Sequence, residues 1–68
     1  MNAKEFIAEF GVDAARRVAE EAGTNYAYFS QIAHGHRRPS VDLANKLVLA
    51  SGGLLDFVSL LQSKRAAA

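Results

Sequence analysis

Residues 15–34 have the sequence ARRVAEEAGTNYAYFSQIAH, and this stretch decides the fold. We interpret it as two short helices joined by a tight turn. Ala22 and Gly23 are expected to end the first helix, since a glycine just past a helix can adopt the left-handed conformation that satisfies the last carbonyl groups. Asn25 is expected to cap the second helix, because its side chain can accept a hydrogen bond from a free backbone N–H of the next turn. Helices joined by so short a turn must cross steeply.

The residues that would pack this crossing have the required spacing. Val18, Ala19 and Ala22 share one face of the first helix, and Phe29 and Ile32 share one face of the second. Ala19 matters most, because a larger side chain at a close crossing would hold the two backbones apart. Uncharged residues remain on or near the outward side of the second helix: Tyr26, Ala27, Tyr28, Ser30 and Gln31.

Length and composition restrict the class of protein. A chain of 68 residues forms one domain and buries only about 60% of its unfolded surface. It contains no cysteine, which excludes disulfides and thiolate metal sites and favours a reducing cytoplasmic location. The most apolar stretch, residues 47–58, is interrupted by polar residues and glycines, and the N-terminus has no signal-peptide pattern. We therefore expect no association with a membrane.

The charge distribution is more informative than the net charge of +1. Between positions 22 and 41 the chain has no Asp or Glu. The same segment contains two histidines and two arginines: His34, His36, Arg37 and Arg38. Such a local excess of positive charge is typical of a surface that binds nucleic acid. A solvated charged loop is the alternative interpretation.

Further helices are expected on both sides of the central pair. One covers residues 3–10, because Asn2 and Glu5 form a capping-box pattern, and it ends at Gly11. Asp13 is the expected N-cap of the helix that follows. These two helices and the one that begins at Asn25 are the first three of the domain.

A fourth helix is expected after the proline of the basic segment. Pro39 prevents the preceding residue from continuing a helix, and Ser40 is the expected N-cap. The helical spacing predicts one buried face on this helix, formed by Val41, Ala44, Leu47 and Val48.

The C-terminal region predicts a fifth helix over residues 54–62. It is more apolar than one buried face requires, since Leu55 and Leu60 lie on the flanks of that face. We therefore expect a second copy of the chain to cover this region, although scattered surface leucines would be an alternative. The expected dimer interface consists of Leu54, Leu55, Phe57 and Leu60. Residues 1–63 form the predicted domain, and residues 64–68 form a frayed or disordered tail.

Residues 12–53 resemble the DNA-binding domain of the Cro/CI (XRE-type) family of phage and bacterial repressors. The family pattern is a hydrophobic-Ala-x-x-x-Gly helix and turn, a recognition helix followed by a Gly-basic-basic-Pro loop, and a fourth helix. Here Ala19 and Gly23 match the first part, and residues 35–39, GHRRP, match the loop. The resemblance implies an all-α, five-helix, lambda-repressor-like domain in which helices 2 and 3 form a helix-turn-helix.

The function implied by this resemblance is sequence-specific binding of double-stranded DNA by a transcriptional regulator, most simply a Cro-like repressor in a bacterial or phage-infected cell. A homodimer would bind a pseudo-palindromic operator with half-sites about one helical turn apart. Residues 25–34 would be the recognition helix in the major groove. Base contacts are expected from Tyr26, Ala27, Ser30 and Gln31, with the Gln31 amide placed to bind an adenine edge in bidentate fashion. DNA-backbone contacts are expected from Arg16, Asn25, Tyr28, His34, His36, Arg37 and Arg38.

Several alternatives remain open at this stage. Arg16 could pair with an acidic residue one turn later rather than with a phosphate, and the Tyr28 ring could pack beside Phe29. Ala15 and Thr24 depart from the usual family residues at their positions. The same fold could serve an antitoxin that represses its own operon or a helical protein-interaction module without DNA binding. No enzyme activity, cofactor, metal or small-molecule ligand is expected, because catalytic residue sets and clustered metal ligands are absent from the sequence.

Overall fold

The computed structural model describes residues 1–61, and every regular element in this part of the chain is a helix. The elements are α1 (Ala3–Glu21), α2 (Tyr26–Ala33), α3 (Val41–Ala50) and α4 (Phe57–Leu61). The expected all-α class is confirmed, but the region holds four helices and not the expected five. The last residues of the predicted domain and the predicted tail over 64–68 lie outside the described residues. None of the helices in residues 1–61 combines the length and apolar character needed to cross a lipid bilayer.

A capping box begins α1, as the sequence predicted. The Asn2 side chain accepts a hydrogen bond from the Glu5 backbone N–H at 2.7 Å. The Glu5 carboxylate accepts one from the Asn2 backbone N–H at 2.9 Å. Two N–H groups that have no partner within the helix are thereby satisfied.

Helical geometry is interrupted at Gly11, where the sequence predicted the end of the first helix, and two helical segments meet there without a loop. Gly11 adopts φ 91° and ψ 170° inside α1, a conformation open almost only to glycine. A single non-helical residue is enough to redirect the chain, so no separate loop forms. Asp13 lies in the first turn after this break, and its carboxylate accepts a hydrogen bond from the Arg16 side chain at 3.1 Å.

The turn between α1 and α2 has the geometry expected from the sequence. Backbone N–H groups of Gly23 and Thr24 donate to the carbonyls of Glu20 and Ala19 at 3.0 and 2.9 Å, which closes the end of α1 in a Schellman motif. The Asn25 side chain accepts a hydrogen bond from the Tyr28 N–H at 2.9 Å and caps α2. The chain therefore leaves one helix and enters the next within four residues, Ala22 to Asn25.

The core fills the crossing of α1 with α2 and extends beneath α3 and α4. The residues with no exposed surface are Ala15, Ala19, Phe29, Ala44 and Leu47. Phe29 meets the ring of Phe6 edge-on, with 6.2 Å between the ring centroids, an arrangement that aromatic pairs favour. The predicted packing residues of the crossing, Ala19 and Phe29 above all, are confirmed as core residues.

Helix α3 begins at the predicted N-cap but buries a different set of residues. The Ser40 hydroxyl accepts a hydrogen bond from the Leu43 N–H at 3.1 Å. Val41 is 59% exposed, so its assignment to the buried face is wrong. A helical side chain covers the turn that precedes it, and the first residue of a helix has no such turn. Leu43 is half-buried against the core instead.

The fifth predicted helix begins three residues later than expected, as α4. The Asp56 carboxylate accepts a hydrogen bond from the Ser59 N–H at 3.1 Å, which places the N-cap at Asp56. Upstream, the buried Ser51 hydroxyl accepts a hydrogen bond from the Leu55 N–H at 3.0 Å. Leu54 is therefore held in the connection that follows α3 and not in a helix.

Candidate nucleic-acid interface

The outward side of α2 presents the uncharged residues that the sequence assigned to base contact. Ala27 and Gln31 are exposed, whereas Tyr26 and Ser30 are half-buried. Phe29, Ile32 and Ala33 face the core. None of the four predicted base-contact residues is buried, so each retains surface with which to contact another molecule. We call these four residues, together with Asn25 and Tyr28, the α2 surface.

The chain after α2 folds back onto the last turn of this helix. Gly35, with φ 78°, is in the left-handed region that glycine adopts without strain. The N–H groups of His36 and Gly35 donate to the carbonyls of Gln31 and Ile32 at 2.8 and 3.1 Å, the pattern of a Schellman motif. This motif brings residues 34–38, which we call the basic loop, beside the exposed end of α2.

One arginine of the basic loop contacts the α2 surface directly. The Arg37 Nε–H donates to the Gln31 side-chain oxygen at 2.5 Å. The Arg37 guanidinium carbon also lies 5.5 Å from the centroid of the Tyr28 ring, within the range of a cation–π interaction. Tyr28 is half-buried and packs partly against the core, so its ring both contacts the core and supports a charged side chain.

The two histidines of the basic loop also have defined surroundings. The His34 Nδ1–H donates to the Ser30 carbonyl oxygen at 2.8 Å. Since a carbonyl can only accept, this contact leaves Nε2 as the outward nitrogen of His34. The His34 and His36 rings are stacked, with 6.4 Å between their centroids. Within residues 1–61, no three His, Cys, Asp or Glu side chains are grouped closely enough to hold a metal ion.

The remaining predicted DNA-backbone residues differ in their surroundings. Arg16 forms an ion pair with Asp13 at 3.1 Å. Asp13 lies three residues before Arg16, whereas the alternative from the sequence was an acidic partner one turn after it. Both side chains of this pair are largely exposed, so the pair contributes little to stability and a phosphate could displace it. Arg38 is exposed, and among residues 1–61 it takes part in no ion pair.

The expected dimer interface is incompatible with the burial of two of its residues. Leu55 and Leu60 are only 1% and 2% exposed within the single chain. The Met1 amino group donates to the Leu54 carbonyl at 3.0 Å, and the Asp56 N–H donates to the Met1 carbonyl at 2.9 Å. These contacts fold the connection after α3 onto the start of the chain, so that Leu55 enters the core.

The rest of that predicted interface retains some accessible surface. Leu54 is 46% exposed, and Phe57 is half-buried. Val58, which the sequence reasoning did not assign to an interface, is 57% exposed. The apolar surface of this region is therefore formed by a different set of residues from the one expected.

Sequence reasoning missed the pairing of Gln31 with Arg37. The signal was present, because a glycine that ends a helix in a Schellman motif returns the next residues to the last helical turn. No protein-family model, curated protein or solved structure matches this chain.

Proposed function

We propose that this protein binds double-stranded DNA as a sequence-specific transcriptional regulator of the Cro/CI (XRE-type) kind, most simply a repressor, and acts by binding and not by catalysis. In this proposal α1 after its kink and α2 form the helix-turn-helix, and α2 enters the major groove. One observation carries the proposal: the uncharged α2 surface projects from a close helix crossing and continues directly into the basic loop.

The chemistry of the two surfaces suits the two kinds of contact that a DNA duplex offers. Polar and methyl-bearing side chains on the α2 surface can contact base edges, and side chains of the basic loop can contact phosphates. No carboxylate lies between positions 22 and 41 to repel the DNA backbone. Asn25 and Tyr28 lie at the first turn of α2, where backbone contacts would fix the register of the helix.

Binding to labelled duplexes over a range of salt concentrations tests the proposal. We expect affinity to fall as salt rises, because each phosphate contact contributes a slope of about −0.9 in a plot of log K against log salt concentration. Arg38→Ala should weaken binding to all duplexes and make the slope shallower by about 0.9. Lys46→Ala is the matched control, since it removes a positive charge that pairs with Asp42 on α3.

The results distinguish DNA binding from the alternative function, a helical protein-interaction module. A chain that fails to bind any duplex at low salt would contradict DNA binding and favour a helical protein-interaction module. Equal effects of Arg38→Ala and Lys46→Ala would contradict the assignment of phosphate contact to the basic loop.

We also propose that two copies bind one operator. Leu54 stays in the candidate contact between copies and exposed Val58 joins it, while the buried Leu55 and Leu60 leave it. Titration of a duplex with one or two half-sites tests this, with two copies expected to bind the longer site cooperatively. Leu54→Glu should reduce that cooperativity without changing affinity for a single half-site. Independent binding at the two half-sites would contradict a homodimer.

A further inference from the structure

We propose that Gln31 and Arg37 read DNA as a single unit and that this unit selects guanine, not the adenine expected for a free glutamine. This inference rests on the proposed function and specifies the base that the same surface recognises. It starts from the contact between the Arg37 Nε–H and the Gln31 side-chain oxygen.

The backbone brings these two side chains together. The N–H groups of His36 and Arg37 both donate to the Gln31 backbone carbonyl, at 2.8 and 3.3 Å. The Arg37 guanidinium is further held over the Tyr28 ring. Because the backbone turn already places residue 37 beside residue 31, the pair loses less conformational entropy than two unrelated surface side chains would.

The contact changes the hydrogen-bonding groups that Gln31 can offer. A free glutamine amide presents one acceptor and one donor, which matches the N6 amino group and N7 of adenine. Here one lone pair of the amide oxygen accepts a bond from the charged Arg37 guanidinium. The positive charge would repel the partly positive amino hydrogens of adenine as they approach the second lone pair. Apart from the second lone pair of that oxygen, the remaining groups are the Gln31 amide NH₂ and the terminal N–H groups of Arg37, which are all donors.

Guanine is the base whose major-groove edge best matches the hydrogen-bond donors of Gln31 and Arg37. Its major-groove edge presents two acceptors, N7 and O6, whereas adenine and cytosine each present an amino donor and thymine presents one acceptor beside a methyl group. Arg37 therefore acts as a positioning residue for Gln31 and supplies donors of its own. Arg38, which contacts neither Gln31 nor Tyr28 among the described hydrogen bonds and cation–π pairs, remains a candidate for phosphate contact only.

Selection of bound duplexes from a random pool, using the full chain, tests the proposal. For the wild type we expect guanine at one position of each half-site. Arg37→Ala frees the Gln31 oxygen and should shift that position toward adenine. The guanine-to-adenine ratio should fall by about 5-fold to 150-fold, the discrimination carried by one bidentate contact. Arg38→Ala is the matched control, and it should weaken binding while preserving the guanine.

The possible results are distinct. If no motif is enriched with the wild type, the proposed function fails and the inference fails with it. If a motif is enriched but carries no such guanine, or if Arg37→Ala keeps the guanine and lowers affinity uniformly, the inference alone is overturned. An NMR measurement without DNA provides a second check. We expect the Gln31 side-chain amide signals to move in Arg37→Ala and to stay in place in Arg38→Ala, while unchanged circular dichroism confirms folding.

Discussion

Replacing Ala19 with leucine tests the helix crossing on which the proposed interface depends. Ala19 has no exposed surface and lies in the core where α1 meets α2. Leucine is three carbon atoms larger, and because Ala19 has no exposed surface, the added atoms must displace core side chains or separate the helices. Separation would also weaken the contact of Phe29 with its neighbours, because Phe29 is fully buried in the same core cluster.

The expected loss is large relative to the stability of so small a domain. Inserting extra carbon atoms into a packed core costs about 1–3 kcal/mol, and sometimes more. A chain of 68 residues has a free energy of unfolding of about 3–10 kcal/mol. For a domain of this size the melting temperature should fall by about 5–20 °C.

Urea unfolding followed by circular dichroism measures this loss. Ala8→Leu is the matched control, since Ala8 is an exposed residue of the same helix, and its change should stay within about 0.5 kcal/mol. Duplex affinity measured on the folded fraction of Ala19→Leu should also fall, because α2 would be displaced from α1. If Ala19→Leu unfolds at the same urea concentration as the control, the close crossing does not exist as described.

Three further substitutions test local features of the fold by the same unfolding assay. Asn25→Ala removes the acceptor of the Tyr28 N–H and should cost about 0.5–2 kcal/mol, with Asn25→Asp as a control that keeps the cap; equal losses in both would contradict the capping role. Gly11→Ala forces a side chain into φ 91° and should cost about 1–3 kcal/mol; a stabilised variant would mean that α1 can run straight. Ser51→Ala leaves the buried Leu55 N–H without its acceptor and should cost about 1–3 kcal/mol, so an unchanged midpoint would refute that hydrogen bond.

Local hydrogen bonding explains why the sequence predicted the helix starts well. The caps at Asn2, Asn25 and Ser40 each join a side chain to a backbone N–H three residues later. Such contacts depend on neighbours in the chain and hardly at all on the rest of the fold. The same argument placed the turn at Gly23 and the buried pair of Ala19 and Phe29, since residue spacing along a helix determines which face a side chain occupies.

The burial of the C-terminal leucines depended on distant parts of the chain. Leu55 and Leu60 are buried because the start of the chain bonds to the connection after α3. That contact joins residues more than fifty positions apart, and helical spacing contains no information about it. For this reason the sequence wrongly placed Leu55 and Leu60 on an exposed interface, whereas the all-α class did not depend on that contact.

The sequence by itself determined the caps, the turn and the packed crossing of the α2 region, together with its acid-free, basic character. Only the tertiary structure decided that the two segments of α1 meet at Gly11 without a loop, that Val41 is exposed and that Arg37 contacts Gln31. The physical reason is the distance along the chain over which each kind of interaction acts. Capping and helical periodicity act over three or four residues, but the surroundings of an exposed side chain depend on which loop folds back over it.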